Sequence, residues 1–185
     1  MVVDFDDLGM DITISDQCRT RDCRKELDEL HYANPAFKVT LFAVPYRMSV
    51  ELLEWCRANK SWVELAVHGW DHHDNYECED WSPLRMAEVM DNPIIQYYFS
   101  PVFKAPGWQI SDGCYKPLKM RNWVVADQAY NDDRRPPMYV YKVGPDSWHG
   151  HTWNCMGNGI EETFDQLKEA VINATEFKFV SEAAR

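Results

Sequence analysis

The chain has 185 residues, a formal charge of −11 and an ordinary apolar share of 45%. That length suits one domain with a full hydrophobic core, residues 1–185. The acidic balance argues against a nucleic-acid backbone or an anionic membrane as partner, since both reward clustered Lys and Arg.

The opening "MVVDF" is a short apolar run ending in acids and reads as the first strand. It has no basic segment followed by an apolar one, so a signal peptide is not expected, and no apolar run is long enough to span a membrane. The expected location is the cytoplasm. Residues 8–36 are polar, with one helical candidate at "RKELDELHYA". "FKVTLFAVPY" is β-branched and aromatic and predicts a buried strand. "SVELLEWCRAN" predicts a helix capped by Ser49. "WVELAVH" is the next strand. "SPLRMAEVMDN" predicts a helix with Ser82 as cap and Pro83 at its first position.

"SPVFKAPGW" predicts a strand that stops at Pro-Gly, and "SDGCYKPLKMRN" a helix. "NWVVADQ", "MYVYKVG" and "SWHGHTW" read as three more strands. "IEETFDQLKEAVINA" is the clearest amphipathic helix, with Ile160, Phe164, Leu167 and Val171 on one face. "FKFVSE" predicts a last short strand. Six cysteines lack paired CxxC spacing, so they read as buried thiols and not as a structural zinc site.

Strands alternating with helices predict an α/β fold with a mainly parallel sheet or barrel. Several strands end in reactive residues: "DFDD", His68, Lys104, Asp127, then His149 and His151. In parallel α/β folds the carboxyl ends of strands share one face, so these residues can converge.

His68 and His72 are four apart. On a helical turn that spacing sets both imidazoles on one face, where one metal can take both. The alternative is a pair of surface histidines. Asp4, Asp6 and Asp7 cluster at a strand end. Along a regular strand Asp4 and Asp6 share one side and Asp7 the other, unless a short turn intervenes. A carboxylate and two imidazoles make a metal site with open positions, and a second carboxylate beside it can act as general base.

Together these segments resemble the polysaccharide deacetylase superfamily of metal-dependent amidohydrolases. "FDDLG" (Phe5 to Gly9) is similar to its first motif, Phe-Asp-Asp-Gly. "HGWDH" (His68 to His72) is similar to His-Ser/Thr-x-x-His in the spacing of its histidines, and "FKAPGW" (Phe103 to Trp108) stands where Arg-x-Pro is usual. "VVADQ" supplies the acid of the fourth motif and "WHGHTW" the late histidine of the fifth.

The resemblance implies a distorted (β/α) barrel of about seven strands. It implies Asp7, His68 and His72 as metal ligands and Asp6 as the base. A late histidine would protonate the leaving amine, with His151 favoured by "HTW" and His149 the alternative. Asp127 would hold Lys104 or the acid histidine in its working state. Trp70, Trp108 and Trp153 each lie beside a motif, where they would either wall a substrate cleft together with Pro106 or pack the mouth of the barrel. Zinc is the expected metal, with cobalt, nickel or iron as alternatives.

The implied activity is removal of acetyl from an N-acetylated glycan. The alternatives are a small non-sugar amide or imide as substrate, or a silent carbohydrate-binding protein. Two departures stand out. Leu8 between Asp7 and Gly9 implies a longer first loop. Lys104 in place of Arg cannot fork onto a carboxylate, so its coupling to an acid is weaker or rearranged.

Overall fold

A computed structural model describes residues 1–9, 13–15, 18–73, 76–128, 136–142, 144–153 and 159–184. The main sheet has seven strands: β1 (Val2–Leu8), β4 (Val39–Ala43), β5 (Val63–His68), β6 (Val102–Lys104), β7 (Val124–Asp127), β8 (Met138–Val140) and β9 (Ser147–His151). Their order is β8-β7-β6-β5-β4-β1-β9, and every neighbouring pair is parallel. A small antiparallel hairpin, β2 (Thr13–Ser15) with β3 (Cys18–Arg19), lies in the polar stretch where no strand was expected.

The helices are α1 (Arg24–Ala33), α2 (Val50–Ala58), α3 (Pro83–Met90), α4 (Pro93–Tyr98), α5 (Asp112–Met120), α6 (Ile160–Asn173) and α7 (Val180–Ala183). Among the described residues none is long and apolar enough to cross a membrane. Ser49 and Ser82 cap α2 and α3 as expected, each accepting a backbone N–H at 3.2 Å. Cys23, Cys56, Cys78 and Cys114 are free and buried.

Strand alternation divides the side chains into two sets. Val3, Phe5, Val39, Leu41, Val63 and Leu65 pack outward with Leu27, Leu52, Leu167 and Val171 of the helices. Val67, Phe103, Val125 and Met138 do the same with Met86, Val89 and Leu118. The inward set is apolar at the amino ends of the strands, where Val2, Phe42, Ala66, Val102 and Ala126 meet Val180. Towards the carboxyl ends it turns polar: Asp4, Asp6, His68, Lys104, His149 and His151. The sheet thus curls into a distorted (β/α) barrel of the deacetylase type, with reactive residues at one end.

Two expectations change here. "FKFVSE" is not a strand: Lys178 makes an isolated bridge to Val2, and α7 follows. Its first N–H groups find acceptors far away in sequence. Val180 N donates to Thr40 Oγ1 (3.0 Å) and Ser181 N to Glu64 Oε2 (3.3 Å), while Glu182 accepts from Phe179 N (2.9 Å). Helix ends require such partners. The second change concerns Leu8, which does not lengthen a loop. It pairs with Ala43 while Phe5 pairs with Leu41, so β1 carries one extra residue as a bulge.

Glu64 is buried, and Thr40 donates to it at 2.8 Å. Burial pushes its carboxyl above the usual range against the bonds from Ser181 and Thr40. A raised folded value means that the contribution to stability is complete below the unfolded pKa and is lost as pH climbs through the folded one. Glu64→Gln keeps an oxygen acceptor and removes the charge. Thermal unfolding should show it more stable than the parent near pH 7, by a few degrees per ~1 kcal/mol, with the gap closing near pH 4.

Candidate metal centre and active site

The first motif lies on the bulge. Asp7 has φ +65°, an uncommon region for a residue with a Cβ. The bulge brings its side chain to the same interior as Asp6, although plain alternation would separate them. The distortion is held from β9: Thr152 Oγ1 donates to Asp7 O (2.9 Å) and Thr152 N to Asp6 O (3.0 Å). Trp153 Nε1 donates to Asp7 Oδ2 (2.8 Å).

His68 and His72 converge, but not on a helix. His68 ends β5, and the chain then reverses through Gly69 (φ +63°) to His72 (φ +50°). Glu77 builds this turn. Its Oε1 accepts from Trp70 N (2.7 Å) and His72 N (3.2 Å), and its Oε2 from Asp71 N (3.4 Å). A Cβ on Gly69 would lie 1.9 Å from Glu77 Oε1 and 2.9 Å from Pro106 Cγ. Only glycine fits there. Nothing local in the sequence marks Glu77, because its partners are backbone amides.

The three candidate ligands meet. Asp7 Oδ1 lies 3.4 Å from His68 Nε2 and 3.1 Å from His72 Nε2. Yet this buried oxygen accepts no hydrogen bond. His68 Nδ1 is 3.1 Å from the Lys104 carbonyl. A carbonyl only accepts, so Nδ1 carries the hydrogen and Nε2 presents a bare lone pair. An orphaned carboxylate oxygen facing imidazole nitrogens is what a cation site requires. Burial raises the Asp7 carboxyl, but His68 and His72 outweigh it and hold it well below the carboxylate range. Burial lowers His72, and Asp7 more than reverses that.

Beside the triad sits a buried ion cluster. Lys104 Nζ lies 2.7 Å from Asp6 Oδ1 and 2.6 Å from Oδ2, so the ammonium straddles the carboxylate. Asp4 Oδ1 is 3.8 Å away. The Trp108, Tyr141 and Phe42 rings lie 3.9, 4.7 and 5.1 Å from Nζ. Burial raises the Asp6 carboxyl, but Lys104 first, then His68, His149 and His151, bring it down to about 2. Asp4, Asp6 and Asp7 share the interior with one ammonium, an excess of two negative charges when all are ionised. A divalent cation at Asp7 would cancel it.

On β9, His149 and His151 point inward at the levels of Asp4 and Asp6. His151 stacks on Trp153 (3.8 Å, 20°), and its buried Nδ1 has no partner. Burial lowers its pKa against the pull of Asp6 and Asp7. Asp6, His149 and His151 form a second group of closely spaced ligand atoms, but Lys104 already occupies the Asp6 carboxylate.

The other sequence candidates fall around this cluster. Trp108 packs on Lys104 and meets Tyr141 edge-on at 4.7 Å. Pro106 is buried against Gly69. Trp70 faces Tyr46 (6.3 Å) and the Arg85 guanidinium (5.7 Å). Asp127 accepts from Gln128 N (2.6 Å) and the Tyr115 hydroxyl (3.4 Å), while the acids against Lys104 are Asp6 and Asp4. Asp4 and Tyr141, which no motif marks, are drawn in by contacts across the barrel.

The fold has solved counterparts. No family model matches the chain, and no curated protein sequence does either. Solved structures do, and they are polysaccharide deacetylases and family 4 carbohydrate esterases. The chain therefore has the deacetylase fold. One neighbour is the peptidoglycan N-acetylglucosamine deacetylase Bc1960, with TM-score 0.62 and 13% identity over 98% of this chain and 86% of that one. Another is the family 4 acetyl xylan esterase of Clostridium thermocellum in complex with a cobalt ion, with 0.59 and 16% over 98% and 88%. A third is the Xyl-CE4 domain of a xylanase from the hindgut metagenome of Trinervitermes trinervoides, with 0.58 and 16% over 98% and 87%.

The ligand geometry predicts a clear result. Elemental analysis of zinc-loaded protein should give about one cation per chain, and His68→Ala and His72→Ala should each lose most of it. Gly69→Ala should weaken cation affinity by roughly tenfold or more, because it displaces the turn that sets His72.

Proposed function

We propose that residues 1–185 act as a cation-dependent deacetylase that removes acetyl from an N-acetylated glycan. The observation that carries this reading is the orphaned Asp7 Oδ1 facing His68 and His72, directly beside the Asp6–Lys104 pair. The fold shared with deacetylases of acetylated polysaccharides supports it. Zinc is the proposed cation, and the cobalt ion in the Clostridium thermocellum esterase supports a first-row metal.

A divalent cation on Asp7, His68 and His72 would supply Lewis acidity, polarising an acyl carbonyl and acidifying a water. Asp6 takes a proton from the attacking water. Lys104 holds Asp6 by both oxygens, which keeps the base ionised and fixed in direction. A β9 imidazole gives a proton to the leaving nitrogen. Trp153 braces Asp7, and Trp70 and Trp108 flank the cleft as flat apolar surfaces suited to a sugar ring.

Acetate release from a panel of N-acetylated glycans, on protein of known cation content, tests the reading. Release that a chelator abolishes and zinc restores is the expected result. A bound cation without acetate from any glycan would overturn the glycan assignment and favour a small amide substrate or a binding role. Asp6→Asn should retain the cation and lose roughly 10²–10⁴-fold in kcat.

A further inference from the structure

Asp4 is fully buried, three residues before the first candidate ligand, and none of the five motifs includes it. A buried carboxylate needs partners. Asp4 Oδ1 has two strong ones: the Tyr141 hydroxyl donates to it at 2.7 Å, and His149 Nδ1 lies 2.8 Å away. A carboxylate oxygen and a bare imidazole nitrogen do not approach to 2.8 Å, so Nδ1 carries the hydrogen and donates it. Lys104 Nζ, at 3.4 Å from the same Nδ1, is then a neighbour and not a donor to it. The opposite ring nitrogen, Nε2, lies 3.8 Å from Asp6 Oδ2.

We infer that Asp4 is a positioning residue that fixes the tautomer and direction of His149, and that His149 Nε2 is the proton donor to the leaving nitrogen. This rests on the deacetylase reading above. His151 differs in just this respect: no acceptor fixes its Nδ1. With Nδ1–H held by Asp4, the acid form of His149 carries its second proton on Nε2. The Nε2–H bond breaks as the new N–H bond forms, and the C–N electron pair goes to the leaving amine. Asp6 has by then gained the water proton. Returning it over the 3.8 Å to Nε2 restores both groups, so the net change is addition of water across C–N. The charged and titratable groups facing His149 are Asp4 and Asp6 of β1, Lys104 of β6, Tyr141 beyond β8 and His151 of β9.

The experiment compares two substrates on zinc-loaded parent, Asp4→Asn, His149→Gln, His151→Gln and the Asp4→Asn/His149→Gln double variant. One is an N-acetyl glycan, whose amine must be protonated to leave. The other is 4-nitrophenyl acetate, whose phenolate leaves unaided. Asp4→Asn and His149→Gln should each lower kcat on the amide by at least about tenfold, with KM and cation content little changed. Both should keep most of their activity on the ester, and the double variant should be no worse than His149→Gln alone. Losses that multiply, equal losses on both substrates, or a leaving-group effect confined to His151→Gln would overturn the inference. Imidazole ¹⁵N NMR of the zinc-loaded protein reads the Asp4 bond without turnover. His149 should show a protonated Nδ1 that Asp4→Ala releases, and a bare Nδ1 in the parent would overturn the inference even if no substrate were hydrolysed.

Discussion

A lysine ammonium buried in a barrel must be answered by carboxylates, and Lys104 is the group around which this interior is arranged. It straddles Asp6, lies near Asp4 and rests among three aromatic rings. Removing either sign would leave the other uncompensated in a region of low polarity. The acids of β1, the lysine of β6 and the imidazoles of β9 therefore form one electrostatic unit. The geometry of Asp6 cannot be changed without changing that of its neighbours.

Much of this was readable from the chain. The strands announce themselves because β-branched and aromatic residues alternate, and α2 and α3 because Ser49 and Ser82 stand where caps belong. "RKELDELHYA" coincides with α1. The clustering of Asp6, His68, Lys104 and His151 follows from parallel topology once the strands are known, whereas Asp7 joins them only through the bulge in β1. Other features have causes outside the local sequence. The His68–His72 spacing suits a helical face, yet Gly69 and the Glu77 carboxylate set a reversed turn instead. Phe177 and Phe179 alternate like a strand, but Thr40 and Glu64 offer acceptors that begin a helix at Val180. Asp4 meets Tyr141 and His149 across separations of 137 and 145 residues, and no local pattern carries that information.

The centre also shows where backbone strain is held. Asp7, Gly69 and His72 all have positive φ. Positive φ at a residue with a Cβ costs of order 1–3 kcal/mol and persists only when the surroundings impose it. Here Thr152, Trp153 and Glu77 impose it, none of them a member of the Asp7–His68–His72 group. The ligands are arranged by the protein itself, so a cation would meet a formed site.

The barrel has a seam. Among the described residues β8 and β9 are the edge strands of the sheet and share no backbone ladder. Among the described residues Tyr139 lies 3.1 Å from Ser147 across the gap, and Tyr141 reaches past β9 to Asp4 of β1. A hoop fastened there by side chains is more compliant than one closed by a ladder of amides. Its slack lies next to the reacting groups, because Tyr141 shares its acceptor oxygen with His149. Spreading the two edges would loosen the His149 imidazole before it disturbed Asp7, His68 or His72, so compliance at the seam bears on the proposed proton donor sooner than on the candidate cation site.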